Sequence, residues 1–148
     1  KYAARDYIQG INLLASMRLC ANVPAQHAIQ TALGGYQSIN DLILPGGRLK
    51  EQRDLSYKML NEIDGITCEP ADGALYLFPK LDVEKFNITN DEQFAYDLLK
   101  EQKILVSHGS AFNWKQPDHF RLVFLPDVQT LKSALDRLGN FLDDYKQN

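Results

Sequence analysis

An arginine inside an apolar, strand-like run is the residue of this chain that most needs a chemical explanation. Arg121 stands in Phe120-Arg121-Leu122-Val123-Phe124-Leu125, and side chains along a strand alternate between two faces. Phe120, Leu122 and Phe124 then share one face, and Arg121, Val123 and Leu125 share the other. A guanidinium among such neighbours needs a partner. Its rigid fork matches a carboxylate through two parallel N–H···O bonds. Three partners fit: an internal Asp or Glu, water reached by a snorkelling stem, or the carboxylate of a small ligand. The loop just before the strand, His108-Gly109-Ser110-Ala111-Phe112-Asn113-Trp114, is rich in small, polar and aromatic residues. Gly109 and Ser110 either shape a ligand-side loop or simply turn the chain. Phe112 and Trp114 either wall a pocket or pack beneath the loop.

Little else in the chain has the makings of a reactive centre. Cys20 and Cys68 are far apart and match no metal spacing; they read as reduced, structural thiols of a cytoplasmic protein. His27, His108 and His119 form no HxxxH or HExxH arrangement, so no metal is expected. The chain has 148 residues, 45% hydrophobic and 24% charged, with net charge −3. That is ordinary for a soluble globular protein. No basic patch points to nucleic acid, and no apolar run approaches a membrane span. The chain begins at Lys1 rather than methionine, which predicts a processed or truncated start.

The elements that must position Arg121 follow from periodicity. Tyr7, Ile11 and Leu14 recur at helical spacing, predicting a helix over 2–20. Pro24 suits the first turn of a second helix, with Asn22 as its cap and Gly34-Gly35 as its end. That helix carries Ala25, Ala28 and Ala32, small residues suited to a buried or interface position. Residues 36–44 read as a connector or short helical piece, and Pro45-Gly46-Gly47 as punctuation. A charged helix is expected over about 47–63, with Leu55, Met59, Leu60 and Ile63 near one stripe. Strands are expected at 66–69, 74–79, 104–106 and 119–125. Thr89-Asn90-Asp91-Glu92 has the form of a capping box and opens a helix carrying Phe94, Leu98 and Leu99. A last helix starts near Asp127, striped by Val128, Leu131, Leu135, Leu138 and Leu142. The fold class is α+β. The first 45 or so residues form a helical segment that cannot make a core alone. Residues 46–148 form a small α/β sandwich with a four-stranded sheet, joined to it by the long helix.

With these segments in order, the chain resembles the C-terminal part of class I/II aminotransferases, the fold-type I enzymes dependent on pyridoxal 5′-phosphate. Its look is that of the bacterial glutamate–pyruvate (alanine) branch. Asn22-Val23-Pro24-Ala25-Gln26 with Ala28 is similar to the family's N-x-P-x-Q-x-A segment. Pro70-x-x-Gly73-Ala74-Leu75-Tyr76 is similar to its P-x-x-G-x-[FY] strand entry. Gly109-Ser110-x-Phe112 is similar to its P-G-S-x-F loop, with His108 where relatives have proline. Phe120-Arg121-Leu122 resembles the strand that bears the family's arginine.

The resemblance implies that Arg121 binds the α-carboxylate of the substrate, with Gly109, Ser110 and Phe112 forming the loop on the substrate side. It implies amino-group transfer from alanine or a similar amino acid to a 2-oxo acid, and a homodimer when the protein is full length. It also places the Schiff-base lysine, the aspartate facing the pyridinium nitrogen and the glycine-rich phosphate loop upstream of Lys1. No lysine here lies in the family's S-x-x-K context. The chain is thus expected to be about the last third of such an enzyme, with residues 1–45 from the edge of the large cofactor domain. It is expected to be inactive alone and to contain no catalytic residue. Dicarboxylate-specific relatives carry a second arginine near Met17; methionine there favours a small apolar substrate side chain. A fold-type I lyase or synthase, and a free-standing amino-acid-binding regulatory module, are the alternative readings.

Overall fold

The computed structural model describes residues 2–147. They form two compact units, one running to Ser38 and the other starting at Ile39. The first unit comprises α1 (Tyr2–Ser16) and α2 (Val23–Gly34). Asn22 caps α2 as expected, its Oδ1 accepting from the Ala25 amide at 3.2 Å. None of residues 4–38 is buried within this unit. Tyr7, Ile11 and Leu14 are 70%, 47% and 68% exposed. An apolar helical stripe left in this state has no core of its own to face.

The second unit contains the core. Its helices are α3 (Asn40–Ile43), α4 (Arg48–Glu62), α5 (Val83–Phe86), α6 (Asp91–Gln102) and α7 (Val128–Asp144). The α3 helix packs on α4, so the compact unit starts before the 45/46 boundary expected from sequence. On α4 the fully enclosed line is Gln52, Ser56 and Leu60, while Leu55, Met59 and Ile63 are only partly covered. The innermost line is therefore rotated from the apolar one, and Gln52 Nε2 donates to the Leu125 carbonyl at 3.3 Å. The α7 stripe behaves as expected: Leu131, Leu135, Leu138 and Leu142 are buried, and the helix lies against α4 and α6.

The α+β class stands, but the strands are shorter and divided, and the one expected at 104–106 is displaced to 107–108. They are β1 (Ile66–Thr67), β2 (Tyr76–Leu77), β3 (Lys80–Leu81), β4 (Ser107–His108) and β5 (Phe120–Val123). All pairings are antiparallel. In place of one four-stranded sheet there is a three-stranded sheet in the order β2-β5-β4 and a two-stranded one, β1-β3. A bridge between Lys80 and His119 links the two. The division falls at Pro79, which has no N–H to continue a ladder; its carbonyl still accepts from Phe120 at 3.2 Å. The β1 strand stops early because Asn61 takes the place of a strand partner. Its Oδ1 accepts from the Cys68 amide at 3.0 Å and its Nδ2 donates to the Cys68 carbonyl at 3.1 Å.

Two local starts also differ. Asp82 caps the short α5, which the sequence did not announce, by accepting from the Glu84 and Lys85 amides. The cap of α6 is Asn90, not Thr89. Asn90 Oδ1 accepts from Glu92 and Gln93 at 2.9 and 3.1 Å. Thr89 is engaged elsewhere: its amide and hydroxyl both donate to Gln147 Oε1, at 2.7 and 3.1 Å. The same oxygen accepts from the Asn90 amide, and Gln147 Nε2 donates to the Asn90 carbonyl at 2.7 Å. Gln147 is 3% exposed, so these bonds are withdrawn from water. Gln147→Ala should therefore lower the unfolding free energy by roughly 2 kcal/mol, because it strands enclosed backbone donors; a urea midpoint equal to that of the parent chain would contradict this. Gly139→Ala should do the reverse. An alanine Cβ there would lie 3.6 Å from Ile63 Cγ1, ordinary contact, while the helix gains up to about 1 kcal/mol. The check is a higher midpoint in the same titration.

Candidate functional site

Arg121 lies on the central strand, β5, opposite Ser107 of β4. The alternation read from sequence holds. Phe120, Leu122 and Phe124 are 0%, 8% and 2% exposed, whereas Val123 and Leu125 are 37% and 39% exposed. Tyr76 pairs with Val123, and directly paired residues in an antiparallel ladder share a face. Tyr76 is thereby brought beside Arg121. The Arg121 Cζ stands 4.5 Å from the Tyr76 ring centroid and 4.3 Å from that of Phe112. Tyr76 is 43% exposed and lies outside the core.

Ring faces attract a guanidinium, with roughly 0.5–2 kcal/mol per contact, but they leave its N–H donors unused. Arg121 Nε is buried and has no hydrogen-bond partner. Among the described residues no carboxylate forms an ion pair with Arg121. The internal Asp or Glu partner, one of the three possibilities from sequence, is thus not supplied by the described residues. What remains is a planar fork gripped by two rings, with in-plane donors to offer.

Phe112 is carried by a 3-10 turn, Gly109–Phe112, that follows β4. Gly109 is required by close approach. Its amide donates to the His119 carbonyl at 2.9 Å, and a Cβ would fall 2.7 Å from that same oxygen. Ser110 faces α6: its amide and hydroxyl donate to Asp91 Oδ2 and Oδ1 at 2.7 and 2.9 Å. Asp91 is 5% exposed. Because the Ser110 hydroxyl proton points to Asp91, His108 Nδ1, 2.8 Å from that oxygen, carries the proton of their mutual bond. The structure thus brings Phe112 to Arg121. Gly109 and Ser110 lie in the turn that carries Phe112, with their polar groups bonded to His119 and Asp91.

The far end of the loop is held by Asp118, which is 8% exposed. Its Oδ1 accepts from Trp114 Nε1 and from His119 Nδ1, both at 2.7 Å. Its Oδ2 faces Lys80 Nζ at 3.7 Å. Phe78 fills the space between: it stacks on His119 at 4.8 Å and meets Trp114 and Phe112 edge-on at 5.7 and 6.4 Å. Burial works to raise the Asp118 pKa. The hydrogen bonds from His119 and Trp114, with the electrostatic pull of His119 and Lys80, outweigh it and hold the carboxyl below its ordinary 3.8. A carboxylate depressed on folding contributes stability above its unfolded value and loses it as pH falls through the folded one. The loop is therefore held across the neutral range and released only on strong acidification.

Tyr76, Phe78, Asp91 and Asp118 are the parts of this site that sequence reasoning did not assign. The alternation of β2 could have given Tyr76, since Leu77 beside it is 1% exposed. Asp91 carried no signal, because its partner Ser110 comes from another element; Asp118 is bonded within its own loop, by contacts that no strand or helix period announces.

The donors here do not fit the attachments of pyridoxal 5′-phosphate itself. Among the described residues no lysine is buried. Lys50 and Lys85, the most covered, are committed to Asp54 at 2.7 Å and Asp64 at 2.6 Å. What the arrangement can do is receive a flat anion at Arg121.

The sequence profile of "Aminotransferase class I and II" matches residues 2–138. Glutamate-pyruvate aminotransferase AlaA of Haemophilus influenzae is 60% identical over 147 residues, 99% of this chain and 36% of that protein. Alanine aminotransferase of Mycobacterium tuberculosis is also 60% identical, over 99% of this chain and 34% of that protein. The crystal structure of an aminotransferase from Escherichia coli superposes with a TM-score of 0.83 at 53% identity, covering 100% of this chain and 37% of that one. The chain spans about a third of the length of the relatives it matches. It belongs to the class I and II aminotransferase family.

Proposed function

We propose that this chain is the carboxylate-receiving part of a pyridoxal 5′-phosphate-dependent aminotransferase that moves the amino group of alanine, or a similar amino acid, to a 2-oxo acid. The observation that carries this reading is Arg121: a guanidinium held between Tyr76 and Phe112, with a buried Nε that no described residue satisfies. A substrate carboxylate bound in the plane of the fork supplies the missing acceptor and charge. Amino acid and 2-oxo acid both carry that carboxylate, so one arginine serves both. The names of the relatives, glutamate-pyruvate and alanine aminotransferases, support the substrate class. The cofactor supplies a carbonyl that accepts the amino group and a conjugated ring that draws electrons from the substrate Cα; its lysine belongs to sequence outside this chain. In the complete enzyme the exposed apolar stripe of α1 is covered, and the assembly is a homodimer. Two unpaired thiols, Cys20 exposed and Cys68 buried, support a cytoplasmic location.

Arg121→Lys in the complete enzyme keeps the charge and removes the fork. It should raise KM for L-alanine by about 30-fold, the equivalent of roughly 2 kcal/mol of charge-assisted hydrogen bonding. Steady-state kinetics that leave both KM and kcat unchanged would rule out Arg121 as the carboxylate receptor. The 148-residue chain alone should transfer no amino group. Borohydride reduction in the presence of pyridoxal 5′-phosphate should label its exposed lysines weakly and without preference, as read by peptide mass spectrometry. One lysine labelled stoichiometrically would overturn the assignment of the cofactor lysine to another part of the protein.

A further inference from the structure

The Asp118 cluster has a geometry that the carboxylate reading does not use. One oxygen, Oδ1, accepts two hydrogen bonds of 2.7 Å, from the indole of Trp114 and the imidazole of His119. These two rings are in mutual contact at 4.5 Å, and both press on Phe78. Phe78 in turn meets the edge of Phe112, the ring that lies over the Arg121 guanidinium. A continuous train of contacts therefore runs from a buried carboxylate to the roof of the arginine. Asp91 holds the near end of the turn it crosses through Ser110, and the rings beyond depend on this train. Asn113 is left-handed, with φ of 59°, and Phe112 and Trp114 are each 44% exposed. Half-exposed rings on a short turn keep one orientation only where something fixes it.

We propose that Asp118 is a positioning residue for the carboxylate site. By holding Trp114 and His119 on a single oxygen, it fixes Phe112 over Arg121 and so sets the binding of amino acid and 2-oxo acid. The inference rests on the role proposed above for Arg121. Asp118 touches neither substrate nor cofactor; it acts through the rings. Its effect is on an interaction made equally in ground and transition states, which appears in KM rather than kcat.

The test uses the complete enzyme. Asp118→Ala should raise KM about tenfold for L-alanine and for pyruvate alike, with kcat within about twofold of the parent. Asp118→Asn, which keeps an acceptor oxygen for the indole, should restore most of the loss. If urea titration shows that Asp118→Ala does not fold, Trp114→Phe decides, since it keeps a ring and removes only the N–H; it should raise both KM values several-fold. A folded Asp118→Ala or Trp114→Phe enzyme with unchanged KM values overturns the proposal, as does a fall in kcat that Asp118→Asn does not repair. Arg121→Lys run alongside separates the two readings. If it raises KM and Asp118→Ala does not, only the positioning role fails; if Arg121→Lys itself is silent, the carboxylate reading fails.

Discussion

The pleat of β5 imposes opposite demands on neighbouring residues, and the site depends on both being met. Phe120 and Leu122 are driven into the core by burial of their apolar surface, with Phe120 in contact with Phe94 at 5.6 Å. A buried aromatic side chain of this kind stabilises a core by about 3–5 kcal/mol relative to alanine. The residue between them has no choice of side. Arg121 is committed to the opposite face, and its guanidinium has to find its environment there. The rings of Tyr76 and Phe112 provide that environment without neutralising the charge. Full removal from water would be prohibitive without a counter-ion, and Arg121 is accordingly only half-buried. The arrangement is held by the core on the other side of the strand, which can afford no slip of register.

The loop beside it is governed by two buried carboxylates. Asp91 grips the entry through Ser110, and Asp118 grips the exit through Trp114 and His119. Each aspartate is enclosed and each is furnished with donors, the condition on which buried charge is tolerated. Asp91 also stands in the first turn of α6, where the helix end favours negative charge. Between the two anchors the chain is short, so Phe112 is carried at a defined place although almost half its surface is exposed.

What could be read from the sequence was whatever is decided locally. The alternation around Arg121, the Asn22 cap and the leucine stripe of α7 all follow from periods and near neighbours, and all are present. The contact of the Phe112 ring with the Arg121 guanidinium is a finding of the structure, since the resemblance implied only a substrate-side loop. The misreadings share a cause. Thr89 looked like a cap because Glu92 follows at the right spacing, yet its hydrogen-bonding capacity goes to Gln147, 58 residues away. The β1 strand ends early because a helix side chain, Asn61, occupies the edge at Cys68. Tyr76 entered the sequence reading only as part of a motif, whereas a charge on the adjacent strand holds its ring at the surface. Asp91 was unreadable for the same reason, its partner Ser110 lying 19 residues on; Asp118 bonds to Trp114 and His119, four residues and one residue away, and no helical or strand period announces such a pairing.

Gln147 also gives the fold an order in time. It is the side chain that closes the corner between α5 and α6, with its backbone amide on the Phe86 carbonyl at 2.9 Å and its side chain on Thr89 and Asn90. Synthesis proceeds from the N-terminus, and domains fold as their segments emerge. Every other participant in that corner is therefore made before the residue that seals it. Until Gln147 has been made, the Thr89 and Asn90 amides lack the acceptor they have in the folded chain.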